Sequence, residues 1–380
     1  MCNNITMKKI GILGGTFNPV HNEHIALVLS AIKELELDKL LVMPTYISPH
    51  KTDLPASAEH RLAMLKLAFS GVDKVEVSDY EIEKQGKSYT YQTVEHFYKE
   101  DQQLYFIMGG DMLVDFKNWK YPERILDKCT LAVFSRQNFG ADFEKEREYF
   151  IKTFNKDFVK LNYIGKDASS TKIRTYAKLG LEIDDLTDKK VADYIKENQI
   201  YESDVYQLFV MNNLPQKRLK HTADVVICAL KKAKQVGLDN ERVSLACTLH
   251  DLAKYMDYTS FNGFNLPQGV PKPVVHAFLG AFVAEKHLKI QDQEIIDAIR
   301  YHTSGKANMT DLAKLVFVAD MLEEGRSYDG VEKLREIYEN SDLDTAFIEC
   351  LKEEYVHLLN KGQEIYIETK NAYDYYIKQT

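Results

Sequence analysis

Gly14-Gly15-Thr16-Phe17-Asn18-Pro19-Val20-His21-Asn22-Glu23-His24 is the stretch whose reading decides the fold of the first half of this chain. An apolar run, Lys9-Ile10-Gly11-Ile12-Leu13, precedes it and reads as a short buried strand. Ile25-Ala26-Leu27-Val28-Leu29-Ser30-Ala31-Ile32 follows and reads as a helix. Paired glycines let the backbone turn tightly and approach a ligand closely. A helix opening near Asn22 aims its free amides and positive dipole end at that turn. Two histidines share the same mouth. Strand, glycine turn and helix N-terminus together describe a nucleotide phosphate site.

Outward from this turn the pattern repeats. Residues 8–13, 39–43, 74–79, 104–109, 130–135 and 159–164 read as strands. Helical stretches at 23–36, 57–70, 91–100, 121–128 and 143–153 lie between them. Such alternation predicts an α/β fold with a parallel sheet covered on both faces. Ligands then bind beyond the carboxyl ends of the strands. Gly109-Gly110-Asp111-Met112 follows the run Leu104–Met108, which places the cleft between this turn and the Gly14 turn. Pro49-His50-Lys51 brings a cation toward the same side. Ser88-Tyr89-Thr90 and Ser169-Ser170-Thr171 open helices with hydroxyls that cap or bind phosphate, and Arg174 follows on the first turn. Taken singly, each of these has a plainer reading as a cap or core residue. Their joint order favours a site.

The chain has 380 residues, a length that predicts two or three domains. No apolar stretch is long enough to span a bilayer, and the first residues lack the features of a signal peptide. The five cysteines are scattered and form no CxxC pair, which fits buried thiols in a cytoplasmic protein. A formal charge of −8 argues against a dedicated nucleic-acid binder. Strand-like alternation nearly vanishes after Val205, and the rest reads as helices at 205–212, 216–236, 240–255, 273–287, 292–302, 309–323, 328–338 and 342–360. A boundary near residue 203 gives domains 1–203 and 204–380.

Within the helical half, His221, His250, Asp251, His276, His302 and Asp320 lie on separate predicted helices, save for the adjacent pair His250-Asp251. That pair interrupts the apolar run Leu249–Ala253. A buried unpaired carboxylate is costly, and a metal ion removes the cost. Imidazole and carboxylate without thiolate suit iron, manganese or zinc. A lone buried histidine is usually a core residue bonded to a carbonyl. The whole ordered set is harder to explain by packing. His287 and His357 are expected on the surface.

These motifs carry two resemblances. Gly-Gly-Thr-Phe-Asn-Pro-Val-His at 14–21, Pro-His-Lys at 49–51, Ser-Tyr-Thr at 88–90, Gly-Gly-Asp-Met at 109–112, Trp119 and Ser-Ser-Thr-Lys-Ile-Arg at 169–174 resemble bacterial nicotinate-nucleotide adenylyltransferases. His221-Thr222, His250-Asp251 with Lys254, His276, Arg300–Gly305 and Val318-Ala319-Asp320 resemble HD-domain symmetrical diadenosine tetraphosphate hydrolases. The resemblance implies a Rossmann-like nucleotidyltransferase followed by an all-α HD domain, in one bifunctional enzyme.

The first half is then expected to transfer AMP from ATP to nicotinate mononucleotide, with Mg²⁺ on the ATP. The resemblance assigns Gly14, Gly15, Thr16, Phe17, His21, His24, Gly109, Asp111, Ser169, Ser170, Thr171 and Arg174 to ATP. His21, His24 and Arg174 serve catalysis. Lys51, Thr90 and Trp119 face the mononucleotide. Two departures stand out: Glu23 replaces the glycine between the two histidines, and Asn18 replaces the commoner aspartate. The second half is expected to hold two transition-metal ions, iron first and manganese or zinc as alternatives. Asp251 would bridge them. His221, His250 and Asp320 would complete one site and His276 with His302 the other, while Lys254 orients the polyphosphate. Diadenosine tetraphosphate would give two ADP. Other acceptors (nicotinamide mononucleotide, phosphopantetheine), another nucleotide for the HD half, or an HD half that only senses, remain alternatives. A homo-oligomer stays open; no membrane or nucleic-acid partner is expected.

Overall fold

The computed structural model describes residues 7–47, 56–136, 142–166, 169–362 and 364–378. The chain forms two compact units. One comprises Met1–Arg174 and Ile183–Tyr201, the other Thr175–Glu182 and Glu202–Thr380.

The first unit is built on six parallel strands: β1 (Lys8–Gly15), β2 (Lys39–Pro44), β3 (Val75–Val77), β4 (Gln102–Gly109), β5 (Thr130–Arg136) and β6 (Val159–Gly165). Their order is β3-β2-β1-β4-β5-β6, so the direction of winding reverses between β1 and β4. Both neighbours end in glycine, Gly15 and Gly109, and the crevice of a doubly wound sheet opens at this reversal. The connecting helices are α1 (Asn22–Glu34), α2 (Ala58–Ala68), α3 (Tyr80–Lys84), α4 (Thr90–Phe97), α5 (Gly110–Asp115), α6 (Pro122–Leu126) and α7 (Phe143–Phe154). Two more, α8 (Ser170–Lys178) and α9 (Lys189–Glu197), follow the sheet, α8 running from one unit into the other. Ile12, Leu41, Val94, Phe106, Leu131, Val133 and Phe150 form a continuous apolar core. Each side chain of this size adds about 1.5–3 kcal/mol when fully buried.

The second unit is helical: α10 (Val205–Asn213), α11 (Gln216–Ala233), α12 (Asn240–Leu249), α13 (Val275–Lys286), α14 (Gln293–Tyr301), α15 (Asp311–Leu322), α16 (Val331–Asn340), α17 (Leu343–Asn360) and α18 (Ile367–Tyr376). The central helix is α15, buried continuously from Leu312 to Ala319 and packed on α11, α14 and α17. No helix among the described residues is long and apolar enough to cross a membrane.

One boundary differs in an informative way. The apolar run predicts a helix to residue 255, yet α12 stops at Leu249. The His250 ring Nδ1 lies 2.6 Å from the Cys247 carbonyl. In a continuing helix that carbonyl would accept from the Asp251 amide. The chain tightens instead into three-residue turns, Leu252 N to Leu249 O at 3.2 Å and Lys254 N to Asp251 O at 2.9 Å. Three short or aromatic-rich helices, α3, α5 and α18, carry too little apolar periodicity to be read from sequence.

Candidate active sites in two units

In the first unit, His21 is the N-cap of α1 and His24 its third residue. The His21 amide donates to His24 Nδ1 at 3.2 Å, and the two rings stack with centroids 3.6 Å apart. Both imidazoles therefore sit over the amides that open α1, at the carboxyl end of β1. Phe17 is buried, edge-on to the His24 ring at 4.9 Å.

Glu23 resolves the first departure. Its carboxylate turns away from the histidines, accepting from Tyr163 Oη at 2.6 Å and from the Lys166 amide at 2.9 Å. Burial alone would raise its pKa; these two donors outweigh burial and hold it below the usual glutamate value. The residue pins α1 to the end of β6. Asn18 is also accounted for. Its buried Oδ1 accepts from Tyr201 Oη at 2.7 Å, while its carbonyl accepts from Arg174 Nη1 at 2.7 Å.

The Ser169–Arg174 stretch joins this turn. Ser170 Oγ donates to the Pro19 carbonyl at 2.8 Å, Ser169 Oγ accepts from the Lys172 amide at 3.2 Å, and Arg174 Nη2 donates to Thr171 Oγ1 at 3.0 Å. Burial pushes the Arg174 guanidinium down from its ordinary pKa. These side chains dock the start of α8 on the Asn18-Pro19 turn. At the neighbouring strand, Asp111 Oδ1 is buried without a hydrogen-bond partner among the described residues. A side chain at Gly109 would collide with that atom, so glycine leaves room for the carboxylate there. Thr90 opens α4, and Ser88 Oγ accepts from the Tyr46 amide at 3.1 Å. Trp119 packs against Phe116 and Phe106 at the edge of the core. Lys51 lies outside the described residues.

In the second unit, α11, α13 and α15 and the ends of α12 and α14 bring all six candidate ligands together. Asp251 turns its two oxygens to different histidine pairs. Oδ2 lies 3.6 Å from His250 Nε2 and 3.8 Å from His221 Nε2. Oδ1 lies 2.9 Å from His276 Nε2 and 3.6 Å from His302 Nε2. Asp320 Oδ1 is 3.0 Å from His221 Nε2 and 4.0 Å from His250 Nε2. Burial pushes the His250 imidazole down to about 3, so the ring is neutral at pH 7. Burial also lowers His276, whereas for His221 the Asp320 and Glu323 carboxylates outweigh burial and raise it. Burial would raise both aspartates, but hydrogen bonds and charge from the surrounding imidazoles hold them well below the carboxylate range.

The donor set fits metal ions on a direct test. A carbonyl can only accept, so the Nδ1 of His250, against Cys247 O, and that of His302, 2.7 Å from Ile299 O, each carry the proton. Glu323 Oε1 fixes His221 Nδ1 likewise at 3.1 Å. In neutral rings the Nε2 atoms of His221, His250 and His302 are then bare lone pairs. Yet His221 and His250 bring these atoms within 3.3 Å, and His276 and His302 within 3.2 Å, facing carboxylate oxygens. Acceptors gathered this closely call for cations between them. His221, His250 and Asp320, and His250, Asp251 and His302, are groups able to hold an ion.

Sequence reading missed four residues here and in the first unit. Glu323 orients His221. Arg218 Nη1 contacts Asp251 Oδ2 at 2.9 Å, and Arg326 Nη2 contacts Asp320 Oδ1 at 2.5 Å. Arg61 lies buried behind the Gly14 turn. Each is a single charged residue in an amphipathic helix or turn; only the tertiary fold gives it a partner.

Residues 12–176 match the model of the cytidylyltransferase-like family, and residues 218–325 match that of the HD domain. The probable nicotinate-nucleotide adenylyltransferase of Clostridium tetani is 41% identical over 201 residues, 51% of this chain and 100% of that protein. The chain belongs to the nicotinate-nucleotide adenylyltransferase family. A relative from Mycoplasma genitalium, the probable nicotinate-nucleotide adenylyltransferase/Ap4A hydrolase, is 28% identical over 332 residues, 85% of this chain and 89% of its own length. The crystal structure of an HD-superfamily hydrolase from Clostridium acetobutylicum, described as involved in NAD metabolism, superposes with a TM-score of 0.43 at 29% identity. It covers 46% of this chain and 96% of that one. The two family matches place an adenylyltransferase region and an HD region in one chain, as the two sets of motifs lead one to expect.

Proposed function

We propose that this enzyme transfers AMP from ATP to nicotinate mononucleotide in the region 1–203, releasing pyrophosphate and deamido-NAD. In the region 204–380 it hydrolyses diadenosine tetraphosphate symmetrically to two ADP. One observation supports the two-activity reading: each unit gathers candidate site residues of its own, of opposite chemical character. The first presents donors and cations to a polyanion. The second presents lone pairs and carboxylates to metal ions.

Adenylyl transfer needs no protein nucleophile, because the acceptor phosphate is already an anion. It needs two polyanions aligned and the charge at the α-phosphorus neutralised. His21 and His24 donate to the triphosphate, supported by the N-terminus of α1. Ser169, Ser170 and Thr171 line the phosphate side; Arg174 holds the Asn18 turn and lends its charge. Asp111 Oδ1 accepts from the adenosine ribose. Thr90 and Trp119 meet the nicotinate ring, and Lys51 the mononucleotide phosphate. Mg²⁺ bound with ATP would offset charge on the pyrophosphate.

In the HD unit, His221, His250 and Asp320 would hold one ion and His276 with His302 the other, Asp251 serving both through its two oxygens. When bound, two such ions, iron first and manganese or zinc as alternatives, would supply Lewis acidity toward a phosphoanhydride and a nucleophile at neutral pH. Lys254, whose Nζ is 3.0 Å from His276 Nε2, stands at the edge of this site to receive phosphate oxygens. Incubating the full chain with ATP, Mg²⁺ and nicotinate mononucleotide, and separately with metal and diadenosine tetraphosphate, tests both assignments. Deamido-NAD and ADP are the expected products. Formation of NAD from nicotinamide mononucleotide instead would reassign the acceptor, and release of AMP with ATP would overturn the symmetrical cleavage.

A further inference from the structure

We infer that Arg61 is a positioning residue for adenylyl transfer, setting the distance between the ATP side and the acceptor side of the cleft; this rests on the adenylyl-transfer reading above. Arg61 lies on α2 and is 1% exposed. Nη1 donates to the carbonyls of Thr16, at 2.9 Å, and Thr45, at 2.7 Å, and Nη2 donates to that of Tyr46 at 3.1 Å. Its Nε has no partner among the described residues. Burying a guanidinium against carbonyls alone is costly, and an apolar residue would fill the space more cheaply.

What the charge accomplishes lies in which carbonyls it gathers. Thr16 belongs to the turn after β1, beside Gly15 and ahead of His21. Thr45 and Tyr46 belong to the loop after β2. Among the described residues, one backbone hydrogen bond, Thr45 N to Gly15 O at 2.9 Å, also ties these two loops. The β2 loop is joined in turn to the entrance of α4: Tyr46 N donates to Ser88 Oγ at 3.1 Å, and Ser88 N donates to Ile47 O at 3.0 Å. One guanidinium therefore holds the phosphate turn against the β2 loop, to which the Ser88–Thr90 stretch is hydrogen-bonded. In-line attack requires the reacting atoms about 3–3.5 Å apart. A clamp between the two loops fixes that approach while touching neither substrate.

Such a residue acts on kcat rather than on either KM, because each loop still binds its own substrate. Arg61→Met in the full chain is expected to lower kcat for deamido-NAD about 100-fold, with KM for ATP and for nicotinate mononucleotide each within about threefold of wild type. Arg61→Lys, which keeps a cation able to reach two carbonyls, is expected to recover at least tenfold of that loss. Thermal melts and kcat per titrated active site separate positioning from simple loss of fold. Ser88→Ala, which removes one bond of the same relay and leaves α2 intact, is expected to give a smaller kcat loss and keeps the test decisive if Arg61→Met does not fold. Wild-type kcat per folded Arg61→Met molecule would overturn the proposal, as would a loss confined to one KM or, in Ser88→Ala, no kcat change. Absence of deamido-NAD from the wild-type protein would sink the adenylyl-transfer reading itself, and this proposal with it.

Discussion

Replacing Glu323 by glutamine removes one oxygen acceptor from a site that uses two. Glu323 is 3% exposed; Oε1 accepts from His221 Nδ1 at 3.1 Å and Oε2 from the Gly325 amide at 2.5 Å. Burial would raise this carboxyl, yet His221 and the Gly325 amide outweigh it and hold it ionised. Glutamine can satisfy only one donor and must turn an NH₂ toward the other. A buried donor left unsatisfied costs about 1–3 kcal/mol. If the amide faces His221, the ring's proton moves to Nε2 or the ring rotates, and the lone pair 3.0 Å from Asp320 is lost to a metal. Carboxylates that orient ligating histidines are worth about 10–100-fold in metal affinity, some 1.4–2.8 kcal/mol. The assay is metal retention by elemental analysis after desalting, with hydrolysis of diadenosine tetraphosphate and deamido-NAD synthesis on the same full-chain sample. Metal affinity and hydrolysis should fall 10–100-fold while deamido-NAD synthesis holds. A folded variant with both within about twofold of wild type would refute the orienting role.

Three further outcomes are expected. His24→Ala should lower deamido-NAD formation about 10²–10³-fold, as loss of one preorganised donor does, with diadenosine tetraphosphate hydrolysis unchanged in the same preparation. Glu23→Gln should leave KM for ATP within about twofold, because the carboxylate points at Tyr163 and Lys166. It should lower the Tm of the first transition by about 2–8 °C, the equivalent of about 1–2 kcal/mol. Glu81 is buried, with Thr93 donating to Oε1 at 2.6 Å and Oε2 lacking a partner among the described residues. Burial raises its pKa above the ordinary value of 4.5. The folded state then binds more protons than the unfolded one, so this group's stabilisation is full below about pH 4.5 and is lost as pH rises through the folded pKa. Glu81→Gln should therefore gain on wild type with rising pH in denaturant titrations, by at most about 1.4 kcal/mol per pH unit. A difference independent of pH would show that Glu81 keeps its ordinary pKa.

The sheet was legible because each strand is a short apolar run closed by a turn, and the Gly14 and Gly109 turns mark the two strand ends that flank the reversal. The six histidine and aspartate residues of the HD unit were legible as a set, since buried imidazole and carboxylate on otherwise apolar helices need a reason. What the sequence hid is tertiary. The direction of Glu23 depends on Tyr163 and Lys166, more than a hundred residues downstream. The end of α12 at Leu249 depends on a side chain taking a backbone acceptor, which periodicity does not encode. Ser170 and Arg174 were read as facing phosphate; the structure spends a donor from each on the carbonyls of Pro19 and Asn18. Glu323, Arg218 and Arg61 gain meaning only from the partners that the fold supplies.

The central claim is that two chemistries reside in two separate sets of residues on one chain. His250→Ala with Asp251→Ala, made in the full-length protein, tests it most directly. Metal content, ADP release from diadenosine tetraphosphate and deamido-NAD synthesis are measured on one preparation. The expected result is loss of the bound metal and of ADP release, with deamido-NAD synthesis at the wild-type rate. Retained hydrolysis in this variant would contradict the account.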